Sequence, residues 1–358
     1  MKIVYAVEKS SYNYKDHIGV KKKVESQIQL FRSNGFEASL FQYSWQGGYP
    51  IIKIDEDTDV LYFRRIEPSI KFLFYMHKLR RVNSKLRIIM EIPTYPFKGE
   101  EKVNVSLKRK ISRNFGKIFL GCCVDRVVLI AQKHLISKLY HVPTICVNNG
   151  VDFNKISLKK VYTGEKRGIH MICVSGCFFW HGYDRVIEGM HYYYLNNKNP
   201  EEIFLYVVGE GDCLEQYKNL ADKYNLLNNR IFFFGKKIGE DLDALYDMSD
   251  IALDCFGGHR KGLTYASSLK MREYVAKGLP VVTSLEPDIY MEETQKYIKL
   301  LDSDESRIPM ESIIEFYHDI YDEKNSKAVA EEIRRVFYRH CDWKFTFNPV
   351  IEYIKNGI

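Results

Sequence analysis

Residues 267–284, SSLKMREYVAKGLPVVTS, read as a polar helix start, an amphipathic helix, a glycine stop and a buried strand. Ser267 or Ser268 is placed to cap the helix. Leu269, Tyr274 and Val275 supply an apolar face, and Gly278 with Pro280 ends it. Residues 280–283 continue as a short β-branched strand. Such a helix, starting at the carboxyl edge of a parallel sheet, offers free N–H groups and a positive dipole end to a phosphate. Ser268 and Leu269 are therefore candidate nucleotide-binding positions. Glu273 lies one to two turns further in, where a carboxylate accepts two hydrogen bonds at once and suits a ribose hydroxyl pair. The alternative is an ordinary acid on a helix surface.

A chain of 358 residues accommodates two α/β domains of ordinary size. Apolar residues make up 46%, enough for real cores. The opening MKIVYAVEKSS reads as a buried strand and a turn, with too short an apolar run for a secretory leader. No run of 18 apolar residues exists to span a membrane. The eight cysteines form no CxxC pair, so free thiols and a cytoplasmic setting are expected. The net charge of +7 gathers in the first 120 residues, at 21–23, 78–87 and 108–117. The last cluster leads into Ile118, Phe119 and Leu120. A basic, partly apolar surface fits anionic lipid headgroups, which would place the protein peripherally on the inner face of the cell membrane. Nucleic acid is the rival, but no recognition motif supports it, and solvated helix faces are the plain alternative.

Around that deciding stretch the chain alternates strand and helix. Strands are predicted at 2–7, 38–43, 60–63, 86–90, 127–130 and 144–147, with helices at 20–33, 70–79, 105–120 and 132–139. After a polar linker at 153–168, strands at 169–174, 203–208, 231–234, 251–254, 280–283 and 297–301 alternate with helices at 183–193, 214–224 and 242–248. Two helices follow at 313–321 and 328–337. This βαβ rhythm predicts an α/β protein with two doubly wound Rossmann-like domains, 1–152 and 169–341, facing each other across a cleft. The tail 342–358 carries Trp343, Phe345 and Phe347 and is expected to pack back on the first domain. Ligands are sought at the carboxyl ends of the strands.

Gly209 and Glu210, in the loop Val208-Gly-Glu-Gly-Asp212, would let backbone approach a nucleotide, although the third glycine of a dinucleotide fingerprint is missing. His17 and Gly19 sit where the first strand turns into a helix. Gly19 would admit an anion to backbone N–H groups, and His17 would orient an acceptor or a phosphate, the alternative being a solvated loop histidine. His181 and Gly182 fall in an aromatic loop where a donor phosphate or sugar fits, beside Trp180, whose ring more commonly packs. Arg260 and Lys261 precede the phosphate helix, and Lys270 lies in its first turn. Cations there would neutralise leaving-group charge. Glu91, ending the strand before Pro93-Thr-Tyr95-Pro96, would hydrogen-bond an acceptor or act as a base, with Tyr95 beside it. The alternative for Glu91 is a structural carboxylate. Of two acidic triplets, Asp55-Glu-Asp57 precedes a strand and points away from a site. Asp302-Ser-Asp304 ends one and is the better metal candidate, but reads as a loop with a helix N-cap.

Asn149-Gly-Val-Asp152, Trp180-His-Gly-Tyr-Asp-Arg185, Val208-Gly-Glu-Gly211, Asp250-Ile-Ala252 and Lys270-x-x-Glu273-Tyr-x-Ala-x-Gly278-x-Pro-Val-Val282 together carry a resemblance. The chain resembles glycosyltransferases of the GT-B fold, close to glycosyltransferase family 4 (the group 1 transferases), with the flavour of bacterial capsule, O-antigen or exopolysaccharide enzymes. Two departures stand out. Glu273 matches the second member of the family's Glu-x7-Glu pair, but Tyr265 occupies the first position. Cys177 and His181 replace the Arg and Lys common after the first strand of the second domain, so Arg260, Lys261 and Lys270 are expected to supply that charge. The resemblance implies retaining transfer from a nucleotide sugar, UDP being favoured, to a glycan or lipid-linked glycan. It implies no metal or other cofactor. Alternatives are a non-hydrolysing nucleotide-sugar epimerase of the same fold, or a non-catalytic sugar-nucleotide-binding or scaffold subunit.

Overall fold

The computed structural model describes residues 1–13, 18–64, 68–93, 106–130 and 136–357. The chain divides into two compact units, Met1–Asp152 with Asp342–Ile358, and Phe153–Cys341. The segment 153–168 thus belongs to the second unit.

The first unit runs β1 (Lys2–Glu8), α1 (Lys9–Asn13), α2 (Ile18–Ser33), β2 (Glu37–Gln46), β3 (Tyr49–Ile51), β4 (Val60–Arg64), α3 (Ile70–Val82), β5 (Arg87–Ile92), α4 (Leu107–Ile118), β6 (Arg126–Ile130), β7 (Lys138–Leu139) and β8 (Val142–Val147). Its sheet has the order β3-β2-β1-β4-β5-β6-β8-β7, parallel except where β3 and β7 fold back on their neighbours. Because side chains alternate along a strand, each strand feeds two cores. Ile3, Tyr5, Tyr62 and Ile89 pack beneath α2. Val4, Leu61, Phe63 and Met90 pack beneath α3. The tail forms two helices, Trp343–Thr346 and Asn348–Asn356, whose Trp343, Phe347, Val350 and Ile354 close the α2 side. Phe345 is exposed instead.

The helix expected at 132–139 is corrected in part. Residues 131–135 lie outside the described residues, and Lys138–Leu139 pair antiparallel with β8. Tyr140 and His141 both take positive φ, 51° and 65°, the backbone of a tight hairpin turn whose twist suits the strands. Burial of Leu139 and Val142 supports a conformation that neither turn residue favours.

Glu91 is likewise corrected. Its parity with Ile89 turns it under α2, where it is fully buried. Tyr62 donates to Oε2 at 2.7 Å and Gln27 at 2.9 Å, while Lys23 Nζ and Arg64 Nε stand 3.2 and 3.4 Å from Oε1. Burial by itself pushes the carboxyl up. Lys23, Arg64 and the two hydrogen bonds outweigh that and hold it below the ordinary range. Glu91 is therefore an ionised core group, out of reach of an acceptor, and Lys23 leaves the surface cluster at 21–23 to meet it. The folded pKa lies below the unfolded one. The stabilisation is therefore present above the ordinary value of 4.5 and lost as pH falls through the folded value. Glu91→Ala strands buried Lys23 and partly buried Arg64, so urea denaturation at neutral pH is expected to show a loss of roughly 3–5 kcal/mol. A loss below about 1 kcal/mol would refute the buried-pair assignment.

The second unit runs β9 (Ile169–Val174), α5 (Tyr183–Asn196), β10 (Ile203–Val208), α6 (Leu214–Lys223), β11 (Ile231–Gly235), α7 (Glu240–Met248), β12 (Ile251–Leu253), β13 (Tyr265–Ala266), α8 (Leu269–Lys277), β14 (Val281–Thr283), β15 (Glu286–Pro287), β16 (Ile298–Leu300), α9 (Met310–Tyr321) and α10 (Ser326–Cys341). The main sheet is wholly parallel, in the order β11-β10-β9-β12-β14-β16. Gly278 ends α8 at φ +84°, and a Cβ there would lie 2.6 Å from Ala330, so the stop also lets α10 approach.

Candidate functional site

In the second sheet the chain leaves β9 toward β10 on one side and reaches β12 on the other. The strand order therefore reverses between β9 and β12, where the diverging loops open a crevice at the carboxyl edge. Asp254, directly after β12, is buried there. Ser268 Oγ donates to its Oδ1 at 2.9 Å and accepts the Met271 N–H at 3.3 Å, so one hydroxyl ties the strand end to the α8 cap. Lys270 Nζ donates to the Asp254 carbonyl at 2.9 Å and stands 3.3 Å from Oδ1. Of the two possible caps, Ser268 serves; Ser267 instead donates to Asp288, the partner of fully buried Arg272.

Capping leaves the N–H groups of Leu269 and Lys270 at the open end of α8, because the first N–H groups of a helix have no intrahelical acceptor. Glu273 follows Leu269 by four residues and Lys270 by three, hence on the same face. It is half-buried, and none of the described residues hydrogen-bonds its carboxylate. A cation, two N–H donors and a partnerless acid thus line one side of a helix start.

The neighbouring loops are held by close backbone packing. A Cβ on Gly209, at φ +138°, would lie 1.8 Å from the Ser175 carbonyl oxygen, and one on Gly182, at φ +68°, 2.5 Å from the Gly257 nitrogen. Both glycines are required for packing, while Glu210 is exposed at the loop tip. Ser175 Oγ lies 2.8 Å from Tyr183 OH, which donates to the Asp254 carbonyl at 3.2 Å. His181 Nδ1 accepts the Phe178 N–H at the long limit of 3.5 Å. Burial, reinforced by the charges of Lys270 and Lys261, pushes the imidazole down to about 2, so it is neutral near pH 7. Lys261 Nζ sits 3.4 Å over the Trp180 ring, which stacks on Phe178. Trp180 is a packing residue that also positions a cation.

Arg260 is corrected. Its guanidinium forks onto Asp184 at 3.0 and 2.7 Å, meets Glu305 at 2.6 Å and donates to the Phe179 carbonyl at 2.7 Å. These bonds hold Arg260 well above its usual pKa and Glu305 down at about 2. It ties the Phe179 turn, the first turn of α5 and the Glu305 loop to one another and is not free to serve a diphosphate. Asp304 is corrected as well. It accepts from Arg185 and Ser306, and α9 begins only at Met310, so it caps no helix. Among the described residues no cluster of three His, Cys, Asp or Glu is arranged for a metal. Gly19 lies exposed in the first turn of α2, in the other unit. His17 and Tyr95 lie outside the described residues. Asp254 carries no sequence signal beyond its position after a strand, and the sequence reading missed it; Tyr183 stands in the Trp180-His-Gly-Tyr-Asp-Arg185 motif, but no site role was read from it.

Residues 157–298 match the family model for glycosyl transferases group 1. An uncharacterized glycosyltransferase of Methanocaldococcus jannaschii, MJ1069, is 30% identical over 217 residues, covering 58% of this chain and 53% of the relative. The chain thus spans about half the length of the curated relative it matches. Among solved structures, a glycosyltransferase of Rickettsia africae superposes with TM-score 0.64 at 13% identity, covering 99% of this chain and 97% of its own. The lipopolysaccharide outer core galactosyltransferase WaaB gives 0.60 at 11%, covering both chains fully. An α-glucosyltransferase in complex with UDP-glucose and DNA gives 0.60 at 14%, covering 99% of each. At such identities the likeness is one of fold: the mixed α/β, two-domain Rossmann-like GT-B fold.

The contrast between the two adjacent cations is measurable. Arg260→Ala abandons two carboxylates and is expected to lower the unfolding free energy by roughly 2–3 kcal/mol. Lys261→Ala should stay within about 0.5–1 kcal/mol of the parent. Equal effects in chemical denaturation would overturn the distinction.

Proposed function

We propose that this chain transfers a glycosyl group from a nucleotide sugar, with UDP as the nucleotide, to a glycan or lipid-linked glycan. The observation that carries this reading is the α8 start, where open N–H donors and Lys270 stand beside the Glu273 carboxylate, which none of the described residues hydrogen-bonds. The match of residues 157–298 to group 1 transferases falls on the same unit. UDP is favoured because the α-glucosyltransferase of like fold is held with UDP or UDP-glucose.

In this reading the diphosphate lies on the α8 N–H groups with Lys270 against its oxygens. Glu273 accepts the ribose hydroxyls. Lys261 adds a second cation from the Trp180 ring. Neutral His181 offers a hydrogen bond to the sugar without bringing a competing charge. The bond from the anomeric carbon to the diphosphate oxygen breaks as the acceptor hydroxyl attacks from the same face. The acceptor proton passes to the departing diphosphate, and configuration is retained. The protein contributes placement and stabilisation of developing negative charge, which fixed dipoles and a partly buried cation supply without reorganising. The first unit is left to receive the acceptor, in surface-polysaccharide assembly.

Calorimetry with UDP tests the assignment. Losing a charged hydrogen bond costs about 1.5–3 kcal/mol, so Glu273→Ala should weaken binding roughly tenfold or more. Unchanged affinity in a folded variant would sink the ribose role. Metal independence is tested separately. Arg185 and Ser306 already occupy Asp304. Turnover is therefore expected to persist in EDTA; loss on chelation, restored by manganese, would overturn it.

A further inference from the structure

Helix α4 is turned inside out. Globular helices ordinarily bury the apolar stripe and expose the polar one. Here Gly116 and Leu120 are buried, and Ser112 hydroxyl accepts the Ile70 N–H at 3.3 Å. A Cβ on Gly116 would lie 2.7 Å from the Pro68 carbonyl carbon, so the small-residue side is what lets α4 approach the start of α3. The apolar residues face outward: Leu107 is 72% exposed, Ile118 58%, Phe115 and Phe119 48% each, and Ile111 47%. Positions 107, 111, 115 and 118 recur at helical spacing and form one ridge. Lys108, Arg109 and Lys110 are exposed at the same end of the helix, Arg113 and Lys117 are half-buried, Lys117 lying over the Tyr140 ring, and the helix holds no acidic residue.

We propose that the outward face of α4 seats the protein on an anionic lipid surface, the ridge entering the acyl boundary and the cations meeting the headgroups. Charge selects this occupant. In a two-fold contact with a second copy, each residue meets its counterpart's neighbourhood, so the three exposed cations of one copy would face those of the other across the interface. A nucleic acid would match the charge but leave the apolar ridge without a partner. An anionic bilayer answers both, because its headgroups are negative and its interior takes large side chains a few ångströms deep. The other two basic clusters contribute less. Lys23 is buried on Glu91, and Arg80 is paired with Asp125. No helix among the described residues is long and apolar enough to cross a membrane, so the contact is interfacial. This surface stands independently of the transferase reading.

Sedimentation of the full chain with vesicles tests it without turnover, so either proposal can fail alone. The chain is expected to bind phosphatidylglycerol vesicles and not phosphatidylcholine ones, with binding reduced but not abolished at high salt. The triple variant Ile111→Ser, Phe115→Ser, Ile118→Ser touches only exposed positions and should keep its fold. It should lower vesicle binding at least about tenfold, as should Lys108→Gln, Arg109→Gln, Lys110→Gln. Four outcomes would overturn the proposal. The chain could fail to bind at low salt. The serine variant could bind as well as the parent. The parent could be a dimer that the serine variant dissociates. Duplex DNA could capture the chain through α4 as tightly as the vesicles do.

Discussion

One buried carboxylate organises the edge of the second sheet. Asp254 directly follows β12 with little access to water, which is costly for a charge unless it is paired and hydrogen-bonded. Ser268 and Lys270 meet that requirement, and both belong to the start of α8. The helix is therefore positioned by the same contacts that make the burial tolerable. A lysine in the first turn opposes the helix dipole, and the Asp254 charge offsets that cost while aiming the ammonium. The loops that face this start have little freedom to drift. Glycines at 182 and 209 let main chain meet main chain, and Arg260 clamps three further segments to one another. Fixed donors of this kind stabilise developing charge without paying to reorient.

The same bookkeeping explains Glu91 in the first unit. A strand-end acid beside a Pro-x-x-Pro turn has the profile of a catalytic base, but parity along β5 sends it under α2. There Tyr62 and Gln27 hydrogen-bond one oxygen and Lys23 and Arg64 pair with the charge on the other. Its charge stabilises packing, and removing it would expose the energetic cost of two stranded cations. Chemistry and structure draw on the same residue types, and the partner list distinguishes them. Among the described residues nothing hydrogen-bonds the Glu273 carboxylate, whereas Glu91 has four partners.

Helix α4 shows the complementary case. Local sequence makes it a helix with five cations and a row of large apolar residues. Periodicity would bury that row. Gly116 decides otherwise, because only a side chain-free position lets α4 lie against Pro68 and Ser69. The apolar ridge is left outside, next to the cations.

The parallel alternation, the α8–β14 unit and its Ser–Gly punctuation were legible in the sequence. They depend on residues within a turn or two of one another: a cap hydroxyl, a glycine stop, β-branched runs of strand length. The candidate phosphate helix and Glu273 came from that local grammar. What the sequence could not decide was which charges are already taken. Arg260 and Lys261 are adjacent and chemically alike. Only the fold brings Asp184 and Glu305, 76 and 45 residues away, onto the first, and leaves the second over an indole ring. Glu91 and Glu273 looked equally available, and Asp254 looked like nothing. Local structure follows from short-range backbone and side-chain preferences. Whether a charged group is spent on the fold or left for a ligand follows from long-range pairing and desolvation, which exist only once the chain has closed.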